Sequence, residues 1–136
     1  MKIYISGVNP ENKIAEIVES LGHEVILSED TIGNKGGEDN SHSKVLEADL
    51  VIFDHTVKRG IEDHLFADEQ KKPMLSLIPE SDRRELAPYF KFLEEKGVCE
   101  FKYFSSQQDI DRFVKGFLTI AENDKERLSA PSKEMR

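Results

Sequence analysis

The chain has 136 residues, 34% of them charged and 38% hydrophobic, and a net charge of −8. That length suits one domain with one core and is too short for two. A generally acidic surface argues against a nucleic-acid polymer or a membrane surface as the main partner, since both demand a basic footprint. A small anionic ligand can still dock at a local group of backbone N–H donors.

Cys99 is the single cysteine, which excludes a disulfide framework or a zinc cluster within the chain. With Val98 and Phe101 as neighbours it reads as a small buried thiol at a strand entrance, not a reactive one. The opening MKIYIS runs directly into a strand pattern and lacks the apolar stretch and small-residue cleavage site of a signal peptide. No segment has the length of a membrane span, so the expected location is cytoplasmic.

KIYIS (2–6), rich in β-branched and aromatic residues, predicts a buried first strand stopping at Gly7. VNPENK follows, with turn residues Asn9 and Pro10. Ile14, Ile17, Val18 and Leu21 recur at helical spacing, and Gly22 is placed to cap that helix. EVILS (24–28) is the second strand. Residues 29–44 hold three glycines and almost no apolar side chains, which predicts a long loop with a short helix starting near Asp39 or Ser41. ADLVIFD (48–54) is the third strand, and 61–70 a short helix with Ile61, Leu65 and Phe66 inward. PMLSLI (73–78) is the fourth strand. Residues 82–96 form a helix ended by Gly97, and CEFKYF (99–104) an edge strand that tolerates Lys102. Ile110, Phe113, Val114, Phe117 and Leu118 mark the last helix. The polar residues 123–136 read as a frayed tail, so the domain is expected to span 1–122.

Helices alternate with strands that are apolar runs, not polar–apolar alternations. That pattern predicts a parallel sheet covered on both faces. With right-handed crossovers the fold class is α/β: a single doubly wound, flavodoxin- or Rossmann-like sheet of five strands in the order 2-1-3-4-5.

In such a sheet ligands bind beyond the C-terminal strand ends, near the switch point between strands 1 and 3. The rule selects Ser6, Gly7 and Asn9 after strand 1. After strand 3 it selects Asp54, His55 and Thr56, then Gly60, Glu62 and Asp63. Asp54 can equally bond turn N–H groups or cap the next helix. An acidic first turn complements the helix dipole, and composition alone favours that structural role for Glu62 and Asp63. His55 and His64 have no second ligand at metal spacing, so no metal is expected. GNKGG (33–37) matches no nucleotide-loop pattern, and Gly7 lacks the further glycines of a dinucleotide fingerprint; no cofactor is expected.

The order of MKIYISG, GHEVILSED, LEADLVIFDHT, RGIEDHLFADEQKKPMLSLI and DIDRFVKGFL resembles the nucleoside 2-deoxyribosyltransferase family over about residues 1–120. The most similar branch is that of the deoxynucleoside 5'-monophosphate N-glycosidases. Asp63 stands nine residues before Lys72 and four before Ala67, in the register of the family's glutamate. The resemblance implies N-glycosidic bond cleavage or transfer on a 2-deoxynucleoside or its 5'-monophosphate, with Asp63 as the nucleophile. It implies Ser6, Gly7, Asp54, Thr56, Gly60 and Glu62 as substrate contacts. Asp54 and Thr56 would hold sugar hydroxyls, and N–H groups near Gly60 would approach a 5'-phosphate. It also implies a homodimer, with which aromatic residues such as Tyr89 and Phe92 are compatible.

Three positions depart from the family. The nucleophile position holds aspartate in place of glutamate. The loop GVNPENK is shorter and lacks an arginine. Ser41 falls where the family has a base-holding aspartate. The competing reading is a non-catalytic nucleotide-binding or protein-interaction module on the same fold. A response-regulator receiver would need paired acids after strand 1, and Ser6-Gly7-Val8 offers none.

Overall fold

The computed structural model of the chain describes residues 1–7, 9–27, 41–55, 62–96 and 99–129. Five strands form one sheet: β1 (Lys2–Ser6), β2 (Glu24–Leu27), β3 (Leu50–Asp54), β4 (Met74–Pro79) and β5 (Cys99–Phe104). Every pairing is parallel, in the order β2-β1-β3-β4-β5. The helices are α1 (Ile14–Ser20), α2 (Ser41–Glu47), α3 (Glu62–Glu69), α4 (Arg83–Lys96) and α5 (Gln107–Ser129). The doubly wound fold expected from the alternating pattern is therefore present, with the expected strand order. Among the described residues no helix is long and apolar enough to cross a membrane.

Strand periodicity sorts the core into two layers. Ile3, Ile5, Leu50, Ile52, Leu75 and Leu77 pack against Ile14, Ile17 and Val18 of α1 and Ile110, Val114, Phe117 and Leu118 of α5. Tyr4, Val51, Phe53 and Met74 face the other way, onto Val45 of α2, Ala48 and Ala67 of α3. Both layers meet at β3, all of whose residues are buried. This is why the third strand reads as an unbroken apolar run: neither of its faces sees water. Cys99 is buried, with Sγ 3.4 Å from Ser76 Oγ.

Two helix ends use the same device. After α1, Gly22 N–H donates to Glu19 O at 3.0 Å and His23 N–H to Val18 O at 3.3 Å, with Gly22 at φ +89°. After α3, Lys71 N–H donates to Asp68 O and Lys72 N–H to Ala67 O, both at 3.0 Å, with Lys71 at φ +58°. Each is a Schellman cap, whose left-handed residue is most often glycine. A Cβ at Gly22 would meet nothing within 4 Å, so Gly22→Ala strains only the backbone. It is expected to lower stability by about 1 kcal/mol, and Lys71→Gly to raise it by a similar amount. Thermal melts of the two variants should shift in opposite directions.

The last helix departs from the expected boundary. α5 runs to Ser129, through residues 123–129 that read as frayed tail. Its 23 residues reach about 34 Å at ~1.5 Å per residue, beyond the roughly 20 Å of a six-residue strand. Lys, Glu, Arg and Leu are good helix formers, and Glu122 is tied to the turn before β2 by His23, whose Nε2 lies 2.6 Å from Glu122 Oε1.

The first turn of α5 is closed by its own side chains. Ser106 Oγ accepts the Asp109 N–H at 3.2 Å, while Asp109 accepts the Ser105 N–H at 3.0 Å and the Ser105 hydroxyl at 3.2 Å. This is a variant of the capping box. The Ser105 N–H, aided by the Ser105 hydroxyl and the nearby Arg112, holds the Asp109 carboxyl below its ordinary pKa despite some desolvation. A carboxyl whose pKa is lower in the folded state stabilises the fold above its unfolded pKa of about 4, and that contribution is lost as pH falls through the folded value. Asp109→Asn should therefore melt below wild type at pH 7, with the gap closing at pH 3.

Candidate functional site

The turn after β1 is built by local chemistry. Asn9 and Pro10 open a turn in which Asn9 O accepts the Asn12 N–H at 3.0 Å and Asn9 Oδ1 accepts the Glu11 N–H at 3.1 Å. Asn at the first position and Pro at the second are what such a turn favours. Gly7, buried at φ +82°, lets the chain leave the strand in a conformation other residues resist. The turn then enters α1 through Lys13, also left-handed at φ +55°.

Beneath this turn lies a cavity of about 190 Å³ at the C-terminal ends of β1, β2 and β3. Gly7, Asn9, Lys13, Glu16, Leu27 and Asp54 line it together with Ile5, Ile14 and Ala15. Gly7 and Asp54, both selected by the strand-end rule, thus share one crevice at the switch point. Asp54 is fully buried and accepts a hydrogen bond from Asn12 Nδ2 at 2.9 Å. At this depth a carboxyl group needs hydrogen-bond partners, and the Asn12 amide supplies one.

Ser6 lies on the other side of the sheet edge. It pairs in register with Phe53, and its alternation puts it on the Tyr4 face, toward α2 and α3. Its Oγ is buried and has no hydrogen-bond partner among the described residues. His55 shares that face: it is fully buried, its ring stacks on Phe53 at 6.0 Å and 18°, and its N–H continues the sheet to Leu77 O at 3.0 Å. The sheet edge therefore divides the switch point, with Asp54 on the α1 side and Ser6 and His55 on the α3 side.

Helix α3 starts at Glu62, so Glu62 and Asp63 fall in its first turn as the sequence pattern implied. Their side chains, with residues 56–61 and hence Thr56 and Gly60, lie outside the described residues, as do the side chains of Tyr89 and Phe92. Among the described residues no group of His, Cys, Asp and Glu side chains is arranged to hold a metal ion.

Sequence reading missed Asn12. Its local signal is only that of a turn residue, whereas its partner lies 42 positions away. It is itself anchored from α5: Gln107 Nε2 donates to Asn12 O at 2.9 Å and to Asp111 Oδ1 at 3.1 Å. Asn12 and Gln107 also border a second hollow, of about 460 Å³, at the ends of β4 and β5.

A five-stranded parallel sheet in this order, with a crevice at its switch point, makes the chain a doubly wound α/β protein. No protein-family model matches the sequence, and no curated protein does. Among solved structures, the chain is similar to the CMP N-glycosidase BcmB of Clostridium botulinum, with a TM-score of 0.60 over 86% of this chain and 99% of that one. At 14% sequence identity this likeness establishes a shared fold.

Proposed function

We propose that the chain cleaves or transfers the N-glycosidic bond of a 2-deoxynucleoside or its 5'-monophosphate through a carboxylate nucleophile. The observation that carries this reading is the buried Asp54 carboxylate in the switch-point crevice of a fold shared with a CMP N-glycosidase. The start of α3 at Glu62 supports it further, since the helix dipole favours negative charge in the first turn.

In this reading Asp63 attacks the anomeric carbon. A carboxylate oxygen forms a bond to C1′ while the glycosidic C1′–N bond breaks, and the electron pair leaves with the nucleobase, which takes up a proton. Water or a second base then attacks C1′ and displaces the carboxylate. Asp54 and Thr56 hold sugar hydroxyls, and N–H groups near Gly60 meet a 5'-phosphate when one is present. Gly7 lets substrate approach the backbone, and Ser6 and Glu62 complete the contacts. No cofactor enters these steps, and a homodimer is the assembly that the sequence resemblance favours.

The competing reading is a nucleotide-binding or protein-interaction module without catalysis. It draws on Asp63 being one methylene shorter than the family glutamate, because a 1 Å misplacement can cost about a hundredfold in rate. A panel of the four deoxynucleosides, their 5'-monophosphates and CMP, followed by chromatography for free base, separates the two. Base release from at least one deoxy compound is expected. Binding without release from any of them would overturn catalysis and leave the binding module.

A further inference from the structure

The hydrogen-bonded chain from Asp111 through Gln107 and Asn12 to Asp54 joins the start of α5 to the crevice. Asn12 has 9% of its surface exposed and Asp54 none, so solvent does not orient either side chain. The turn at 9–12 is closed by its own Asn9 hydrogen bonds and is also gripped from outside by Gln107, which leaves the Asn12 amide little freedom. A donor held 2.9 Å from a buried carboxyl oxygen restricts the direction in which that group points.

We propose that Asn12 is a positioning residue, delivered by the turn at 9–12 and anchored by Gln107, that holds the Asp54 carboxyl group toward ligand in the crevice. The proposal rests on the crevice being the nucleoside site argued above. A purely structural hydrogen bond would need only a donor and an acceptor, in either order. A positioning role needs the carboxyl group on the β3 side of the pair, where Asp54 and Gly7 line the same cavity.

Two variants separate these roles. Asn12→Asp brings two buried carboxyl groups within hydrogen-bond distance, where they share one proton. At pH 7.5, where the pair has lost that proton and with it the donor to Asp54, base release from the best substrate of the panel should fall at least about tenfold. It should recover toward wild type near pH 5, where the shared proton is present. The double variant Asn12→Asp/Asp54→Asn reverses donor and acceptor and moves the charge to the turn. It should melt near wild type yet stay impaired across the pH range.

The proposal is overturned if Asn12→Asp follows the wild-type pH profile, or if the double variant regains activity along with its melting temperature. If wild type binds panel members without releasing base, the catalytic reading fails alone. The same comparisons are then made on calorimetric affinity, with the same expected losses. If wild type binds no panel member, both the site and the role of Asn12 are refuted.

Discussion

Asp63→Ala is expected to remove base release altogether, a loss of about three orders of magnitude or more, while nucleotide affinity stays nearly unchanged. In the proposed reaction this side chain acts at the anomeric carbon, and an interaction made chiefly in the transition state appears in kcat and not in binding. Glu62→Ala should cost little by comparison. Successive residues of a regular helix project about 100° apart, so a substrate carbon within reach of Asp63 is expected to lie out of reach of Glu62. Asp63→Glu gives the acid the reach of the glutamate in the family that the sequence resembles, and is expected to change the rate by about a hundredfold. A gain would mean that the crevice has kept the shape made for glutamate, and a loss that it has closed around the shorter acid. Single-turnover kinetics on the best panel substrate, with calorimetry for affinity, reads all three variants. Unchanged base release in Asp63→Ala would rule this residue out as the nucleophile.

Ser6→Ala is expected to make the protein more stable and its ligand weaker. The Ser6 hydroxyl is fully buried and has no partner among the described residues. Burying a hydroxyl without a hydrogen bond costs about 1–3 kcal/mol, and removing it should return a similar amount. For a chain of this size that corresponds to a rise of roughly 3–10 °C in Tm. A residue kept against its own contribution to stability is characteristic of a binding site, where activity and stability trade against each other. The same substitution should therefore weaken nucleotide binding, because ligand would no longer find the hydroxyl. A fall in Tm would show that the hydroxyl is satisfied in the folded protein. A rise in Tm with unchanged affinity would show that Ser6 does not touch ligand.

The sequence by itself determined the architecture, because the signals that set it are local. The run LVIFD is apolar on both faces and must lie at the centre of a covered sheet, as β3 does. Gly22 and the Asn9-Pro10 pair each specify a turn from neighbouring residues, and Ser41 opens α2 where a short helix was expected. The strand-end rule then placed Gly7 and Asp54 at one crevice before any distance was known. Tertiary structure alone decided what joins across the chain. Asn12 meets Asp54 over 42 positions, Gln107 meets Asn12 over 95, and His23 meets Glu122 over 99. No periodicity encodes such a pair, since each partner's local pattern is fully accounted for by its own turn or helix. The division of the switch point, Asp54 toward α1 and Ser6 with His55 toward α3, was likewise set only when strand alternation was fixed to particular packed faces. The polar end of α5 followed the same logic. Its composition suited either a tail or a helix, and in the structure the helix continues past Glu122, which is bound to His23, to Ser129.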